Sequence, residues 1–327
     1  LILNETGKTF FFVIGSALFG IGYGAFSSGW FALLAPIVPE RIRGRFFGKL
    51  RMIWQGVSIA FSFFAVFVLK KYVSLNVFTY LLLLITCFAA LRLVFYIRIK
   101  EIRSNENKNN TDNFINAILE VCRIPGYMPF CAYVFIITLF TGACPWLFGL
   151  LQKDTLGFSS GMVVLMGNLT AIGTFVGFLG AGRWVDRFGA KIVFMINHFA
   201  YAAILFAFTL RTKIPLPVHG TIGMLCFLFG ICVAATSIAI STEMLAITPP
   251  VNKALSTAFI GTLQTAGISL SGILTARMIS LGILSPQWKF FGDTLGVYDS
   301  IILGSAIMIL LMVVTLGLIP SLIKPAH

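Results

Sequence analysis

The chain has 327 residues, of which 58% are hydrophobic and only 11% charged, with 33 phenylalanines and a mean hydropathy of +0.96. A water-soluble domain carries about 25% Asp, Glu, Lys and Arg because charge must cover its surface, so this composition excludes a soluble globular protein and leaves lipid to cover the outside. The net charge of +13 does not make a nucleic-acid face, because the 24 Lys and Arg residues sit mostly between apolar runs rather than on one polar domain surface.

A bilayer core of about 30 Å needs about 20 apolar residues per helix. Nine stretches meet that length: Thr9 to Val38, Phe46 to Leu69, Asn76 to Ile99, Met128 to Leu151, Ser160 to Gly182, Ile192 to Leu210, Thr221 to Ala246, Ala254 to Leu284, and Tyr298 to Ile319. The runs are continuous and about twice as long as a barrel strand, which predicts helices, whose backbone groups are satisfied internally. The expected class is an all-α polytopic membrane protein. Gly20, Gly22 and Gly24, then Gly173, Gly177 and Gly180, predict close helix packing. Asn113 to Cys122 places Phe114, Ile115, Ile118 and Leu119 at helical spacing and predicts a short interfacial helix; Asn105 to Asn113 reads as a solvated linker. The six cysteines lie in or beside apolar runs without a CxxC pair and read as core residues, so no metal or cofactor is expected. Leu1 is not an initiator Met and the opening lacks a signal-peptide layout, which reads as a fragment or a processed product.

Assigning the linkers alternately to two sides puts 15 basic residues on the side of Arg41 to Arg51, Arg98 to Arg123, Arg183 to Lys191, Lys253 and Lys324, and 7 on the other. The positive-inside rule makes the first side cytoplasmic, together with the C-terminus. The expected location is the cell membrane.

The sequence repeats at an offset of 210 residues: Leu18, Phe19, Gly20, Ile21, Ala25, Ser27, Ile37 and Pro39 meet Leu228, Phe229, Gly230, Ile231, Ala235, Ser237, Ile247 and Pro249, 8 identities in 22 positions. Arg43 then falls over Lys253. The copies are the first and seventh spans, six positions apart in the order, so both run the same way through the membrane. Parallel repeats of six helices are the arrangement of the major facilitator superfamily.

The run Gly182-Arg183-Trp184-Val185-Asp186-Arg187-Phe188-Gly189-Ala190-Lys191 resembles that superfamily's signature loop, G-x-L-a-D-[RK]-x-G-[RK]-[RK]. Gly182, Asp186, Arg187, Gly189 and Lys191 match, Trp184 replaces Leu and Ala190 replaces a basic residue. Independently of the family, the two glycines permit a tight turn in a linker of about eight residues, and an Asp at the membrane surface suits the positive N-terminal end of a neighbouring helix. The resemblance implies that Asp186 docks near Lys253 to Ser256 when the inner side is closed. Pro39-Glu40-Arg41-Ile42-Arg43-Gly44-Arg45-Phe46-Phe47-Gly48 resembles the cytoplasmic turn after the family's fourth helix. On that assignment the chain holds helices four to twelve and is N-terminally truncated. Residues 1–99 belong to the first bundle, 100–126 form the central loop, and 127–327 form the second bundle. Arg43 and Arg45, beside Pro39 and Gly44, are expected to face the Asp of an absent first signature loop and so to lack a partner here.

The resemblance also implies a solute path lined by the first, fourth and seventh visible spans. Its candidates are Tyr23, Ser27, Ser28 and Trp30; Tyr133, Thr138, Thr141 and Trp146; and Thr236, Ser237, Ser241 and Glu243, each of which also reads as a packing or interhelical hydrogen-bonding residue. Ionisable groups inside a membrane are costly. Glu243 suits a coupling proton or cation, or simply reaches the interface, and Arg277 suits an anionic substrate or snorkels to the surface.

Gly157-Phe158-Ser159-Ser160-Gly161 satisfies the hydrolase elbow pattern, but it opens a helix without a preceding strand, where a Ser caps, and His198 and His219 lie on other segments. The sequence therefore points to a secondary active transporter moving a small solute by alternating access, and not to an enzyme. The competing readings are a non-transporting scaffold or sensor of the same fold, a membrane-embedded serine hydrolase, and a truncated inactive product.

Overall fold

The computed structural model of the chain describes residues 10, 11, 14, 15, 18–20, 22, 30, 31, 33, 34, 37–71, 75–99, 114–248, 253–285 and 287–318. Most of the expected first span lies outside them. A single 3-10 turn, Glu40–Ile42, leads into α1 (Arg43–Lys71), followed by α2 (Leu75–Ile97) and the short α3 (Phe114–Cys122). Then come α4 (Tyr127–Thr141), α5 (Cys144–Leu150), α6 (Ser160–Phe188), α7 (Ala190–Thr209), α8 (Val218–Ile247), α9 (Lys253–Ser280) and α10 (Val297–Leu318). Six helical stretches among the described residues are long and apolar enough to cross a membrane. α1 carries Arg43, Arg45, Lys49 and Arg51 at its start and Lys70 and Lys71 at its end.

The expected fourth span is broken. Pro145 has no N–H and stands in the first turn of α5, where a continuous helix would meet the carbonyl of the preceding turn. The Ala143 N–H freed by the break donates to Ser271 Oγ of α9 at 3.0 Å. Beyond α5 the chain makes a π-helical turn, Leu151–Thr155, and Ser159 Oγ caps α6 by accepting from Met162 N at 3.3 Å.

The linker expected between the fifth and sixth spans is also shorter than the sequence suggests. α6 runs on to Phe188 and α7 starts at Ala190, so the turn is Gly189 alone, with φ 81° and ψ 157°, a conformation closed to residues with a Cβ. Asp186 therefore sits on the last turn of a helix.

Small residues set the closest crossing, between α6 and α8. A Cβ on Gly177 would lie 2.7 Å from Ala234 Cβ and 2.9 Å from Ile231 Cα. Gly180, expected to act likewise, meets only its own helix's Trp184. Around this crossing α4 packs on α9, and α7 packs on α8 and α10, over a core that includes Tyr127, Phe194, Phe208 and Phe229. α1 crosses α6 and touches α8, while the apolar window of α2 has no buried residue among the described residues. Two strands not expected from the sequence, β1 (Trp288–Phe290) and β2 (Asp293–Leu295), pair antiparallel between α9 and α10.

Candidate functional site

At the start of α1 the first backbone N–H groups have no acceptor within the helix and carry the positive end of its dipole. Asp186 supplies both needs. Its Oδ1 accepts from Gly44 N at 2.8 Å, and its Oδ2 accepts from Arg45 N at 3.0 Å and from Arg45 Nε at 3.0 Å. The carboxylate is nearly enclosed, whereas the Arg45 side chain is half exposed.

Glycine makes the approach possible. A Cβ on Gly44 would stand 2.5 Å from Asp186 Oδ1 and 2.6 Å from the Gly182 carbonyl, and one on Gly48 would stand 3.0 Å from the Phe178 carbonyl. Gly44 and Gly48 lie one turn apart on α1, as Phe178, Gly182 and Asp186 do on α6.

This arrangement corrects two expectations. Asp186 docks on α1, and not near Lys253 to Ser256, where the Ser256 carbonyl instead accepts from Tyr127 Oη at 2.7 Å. Arg43 and Arg45 are both engaged: Arg45 by Asp186, and buried Arg43 by Glu40, Nη1 to Oε1 at 3.2 Å. Of the other residues expected from the loop and the turn, Arg187 lies over the Phe188 ring at 5.3 Å, Lys191 is half-buried in the first turn of α7, and Pro39 precedes the 3-10 turn.

A second contact, absent from the sequence reading, lies two turns further along α1. Arg51 Nη2 donates to Ser241 Oγ of α8 at 2.6 Å, and Ser241 Oγ donates to the Ser237 carbonyl at 3.0 Å. The sequence grouped Arg51 with the surface cluster that begins at Arg41; its place within a helix that packs on α8 was the missing fact.

The path candidates are scattered. Tyr23, Ser27 and Ser28 lie outside the described residues. Trp30 borders a cavity of about 380 Å³ with Phe88, Leu91, Arg92, Phe95, Tyr96 and Ile99, and among the described residues no other candidate lines it. Tyr133 turns toward α7, edge-on to Phe194 at 5.0 Å and 3.5 Å from His198 Nε2. Thr138 and Thr141 donate to carbonyls of their own helix, Thr141 to Ile137 at 2.7 Å. Trp146 and Arg277 are exposed. Thr236 binds Asn197 of α7, Nδ2 to Oγ1 at 3.0 Å. Glu243 is buried; two residues beyond Ser241, it is turned about 200° around α8 from the side that meets Arg51. Ser159 is a helix cap and His219 stacks on Phe158 at 4.4 Å; among the described residues no hydrogen bond joins Ser159 or Ser160 to a histidine.

A sequence model of the Major Facilitator Superfamily matches residues 1–272. The chain belongs to the major facilitator superfamily. No curated protein matches it. Family membership and the apolar helices make it an integral membrane protein of the transporter class, whose members carry small solutes across a lipid bilayer.

Proposed function

We propose that this member of the superfamily is a secondary active transporter that moves a small solute by alternating access. Residues 1–99 and 127–327 act as two units joined by 100–126, and the Asp186 clasp closes the side that carries the signature loop. The observation that carries the reading is the triple contact of Asp186 with Gly44 and Arg45. It joins α6 to α1 only while the two units touch, so it favours one arrangement and is given up in the other. The basic excess puts this side in the cytoplasm. Trp30, Ser237 and Glu243 are the path candidates, and a proton or cation at Glu243 is the form of coupling that an acid within a span supports best.

Two measurements on the full chain in lipid nanodiscs and proteoliposomes test this. Asp186→Asn is expected to speed amide exchange at Gly44 and Arg45 while leaving α7 and α10 unchanged. The native protein is expected to take up at least one solute from a labelled panel of sugars, amino acids and organic acids, at a rate that Asp186→Asn alters. Unchanged exchange at Gly44 and Arg45 removes the clasp, and absence of flux for every solute class favours the non-transporting reading.

A further inference from the structure

The two copies of the repeat part company between α9 and α10. α1 and α9 start 210 residues apart, at Arg43 and Lys253, yet α1 is joined to α2 by residues 72–74 and α9 to α10 by residues 281–296. The added chain forms the β1–β2 hairpin, with Phe291 and Gly292 as its turn. Both have positive φ, 48° and 87°. A two-residue turn of this kind favours Asn or Gly at both places, and a bulky side chain there is an outlier. Phe291 nevertheless stands at the tip and is 73% exposed.

Contacts set the height and the facing of the hairpin. Phe290 meets Phe206 edge-on at 6.2 Å. Phe206 lies in the last turn of α7, at the end of an apolar membrane-crossing stretch. The hairpin thus lies level with the membrane face opposite the signature loop. Its inner side is occupied: Trp288 Nε1 donates to Ser300 Oγ at 2.7 Å, and Asp293 accepts from Thr212 and pairs with Lys213 Nζ at 3.3 Å. Lys289 and Phe291 are left pointing outward. The exposed side of α7 that leads to Phe206 is apolar throughout, through Ile192, Ile196 and Phe199.

We infer that the β1–β2 hairpin is an interfacial anchor, with Phe291 placed at the headgroup–acyl boundary of the leaflet opposite the signature loop and Lys289 bound to a phospholipid phosphate. Continuity with the lipid-facing side of α7 puts the aromatic tip in lipid, as in the aromatic belts of membrane proteins. The ammonium beside it complements phosphate. The inner-side contacts hold the pair in place, and the anchor does not depend on transport.

A nitroxide at Phe291→Cys, with the two incompletely buried cysteines removed as Cys87→Ser and Cys122→Ser, reads the environment of the tip in nanodiscs of phosphatidylcholine with phosphatidylglycerol. Collisions with oxygen, which concentrates in lipid, are expected to exceed those with a water-soluble nickel chelate severalfold, and Lys289→Glu is expected to lower that ratio. A tip reached mainly by nickel is in water, and a tip reached by neither is covered by protein, whether a second copy or another chain; either result overturns the anchor. Phe291→Trp, read as the difference from the native chain with its five tryptophans, gives an independent reading of the added indole. Quenching by brominated lipid is expected, and quenching by aqueous iodide alone overturns the anchor as well.

Discussion

Asp186 occupies the space that a side chain on Gly44 would need, so the smallest change at this site is also a sharp one. Gly44→Ala forces a methyl to 2.5 Å from Asp186 Oδ1; overpacking of this kind costs about 1–3 kcal/mol. The expected outcome is faster amide exchange at position 44 and at Arg45 with the helix otherwise intact, measured by hydrogen–deuterium exchange. Asp186→Asn keeps the shape but not the charge. An amide offers one oxygen where the carboxylate offers two, so one of the two α1 N–H groups loses its acceptor. A loss of about 1–2 kcal/mol is expected, most of it from the backbone donors, because the Arg45 side chain is 53% exposed and exposed ion pairs contribute little. The motif around Asp186 was legible from Gly182, Asp186 and Gly189 in sequence. Its partner was not, because any helix start can receive a carboxylate. The available signal was the one-turn spacing of Gly44 and Gly48 on one helix and of Gly182 and Asp186 on the other.

Among the elements, apolar length located eight helical stretches closely, six of them long and apolar enough among the described residues to cross a membrane, since an apolar run of about 20 residues has few alternatives in lipid. Length did not locate the interruptions. Pro145 was visible in the sequence, but the break at α4–α5 also depends on Ser271, 128 residues away, which accepts the Ala143 N–H. Ser271→Ala leaves that N–H buried without an acceptor and is expected to lower stability by about 1–3 kcal/mol, read from thermal unfolding in detergent. The hairpin was missed because its strands have three residues each. Beneath it, Arg211 and Asp299 form a buried pair, Nη1 to Oδ1 at 2.5 Å, and Asp299 Oδ2 also accepts from Gly296 N at 3.0 Å. Removing one partner strands the other charge, so Asp299→Ala alone is expected to cost about 3–5 kcal/mol, and the apolar pair Arg211→Met with Asp299→Leu distinctly less, measured in the same unfolding experiment. Half-buried Asp293 ties the hairpin to the loop after α7 and gives a pH signature. The Thr212 hydroxyl first, and then Lys213, hold its carboxyl below the ordinary aspartate range. A depressed folded-state value stabilises above the unfolded value, about 3.9, and that contribution is lost as pH falls through the lower folded value. Hairpin amides are therefore expected to stay protected at neutral pH and to open only in acid below that range, and Asp293→Asn to remove the dependence.

At the scale of the molecule, the 210-residue repeat set the first and seventh spans in register from sequence, and α1 and α9 start that same distance apart. What no sequence repeat conveys is which helices of one copy meet which of the other. α1 meets α6 through Gly44 and Gly48, and meets α8 through Arg51 and Ser241, so two layers join the same helix to its neighbours. Seven residues of α1 separate Gly44 from Arg51, about 10 Å along the axis, far enough for independent contacts to contribute additively within about 0.5 kcal/mol. If α1 leaves α6 and α8 as a rigid body, one opening exposes both layers. Asp186→Asn and Ser241→Ala are then each expected to accelerate exchange at Gly44 and Arg45, whose backbone N–H groups donate across the interface, and the double variant by the product of the two factors. Local fraying gives a different pattern, in which Asp186→Asn loosens Gly44 and Ser241→Ala leaves it protected. Residue-resolved exchange on the four proteins separates the two, and a rigid opening is what a mechanism that moves α1 as part of a larger unit requires.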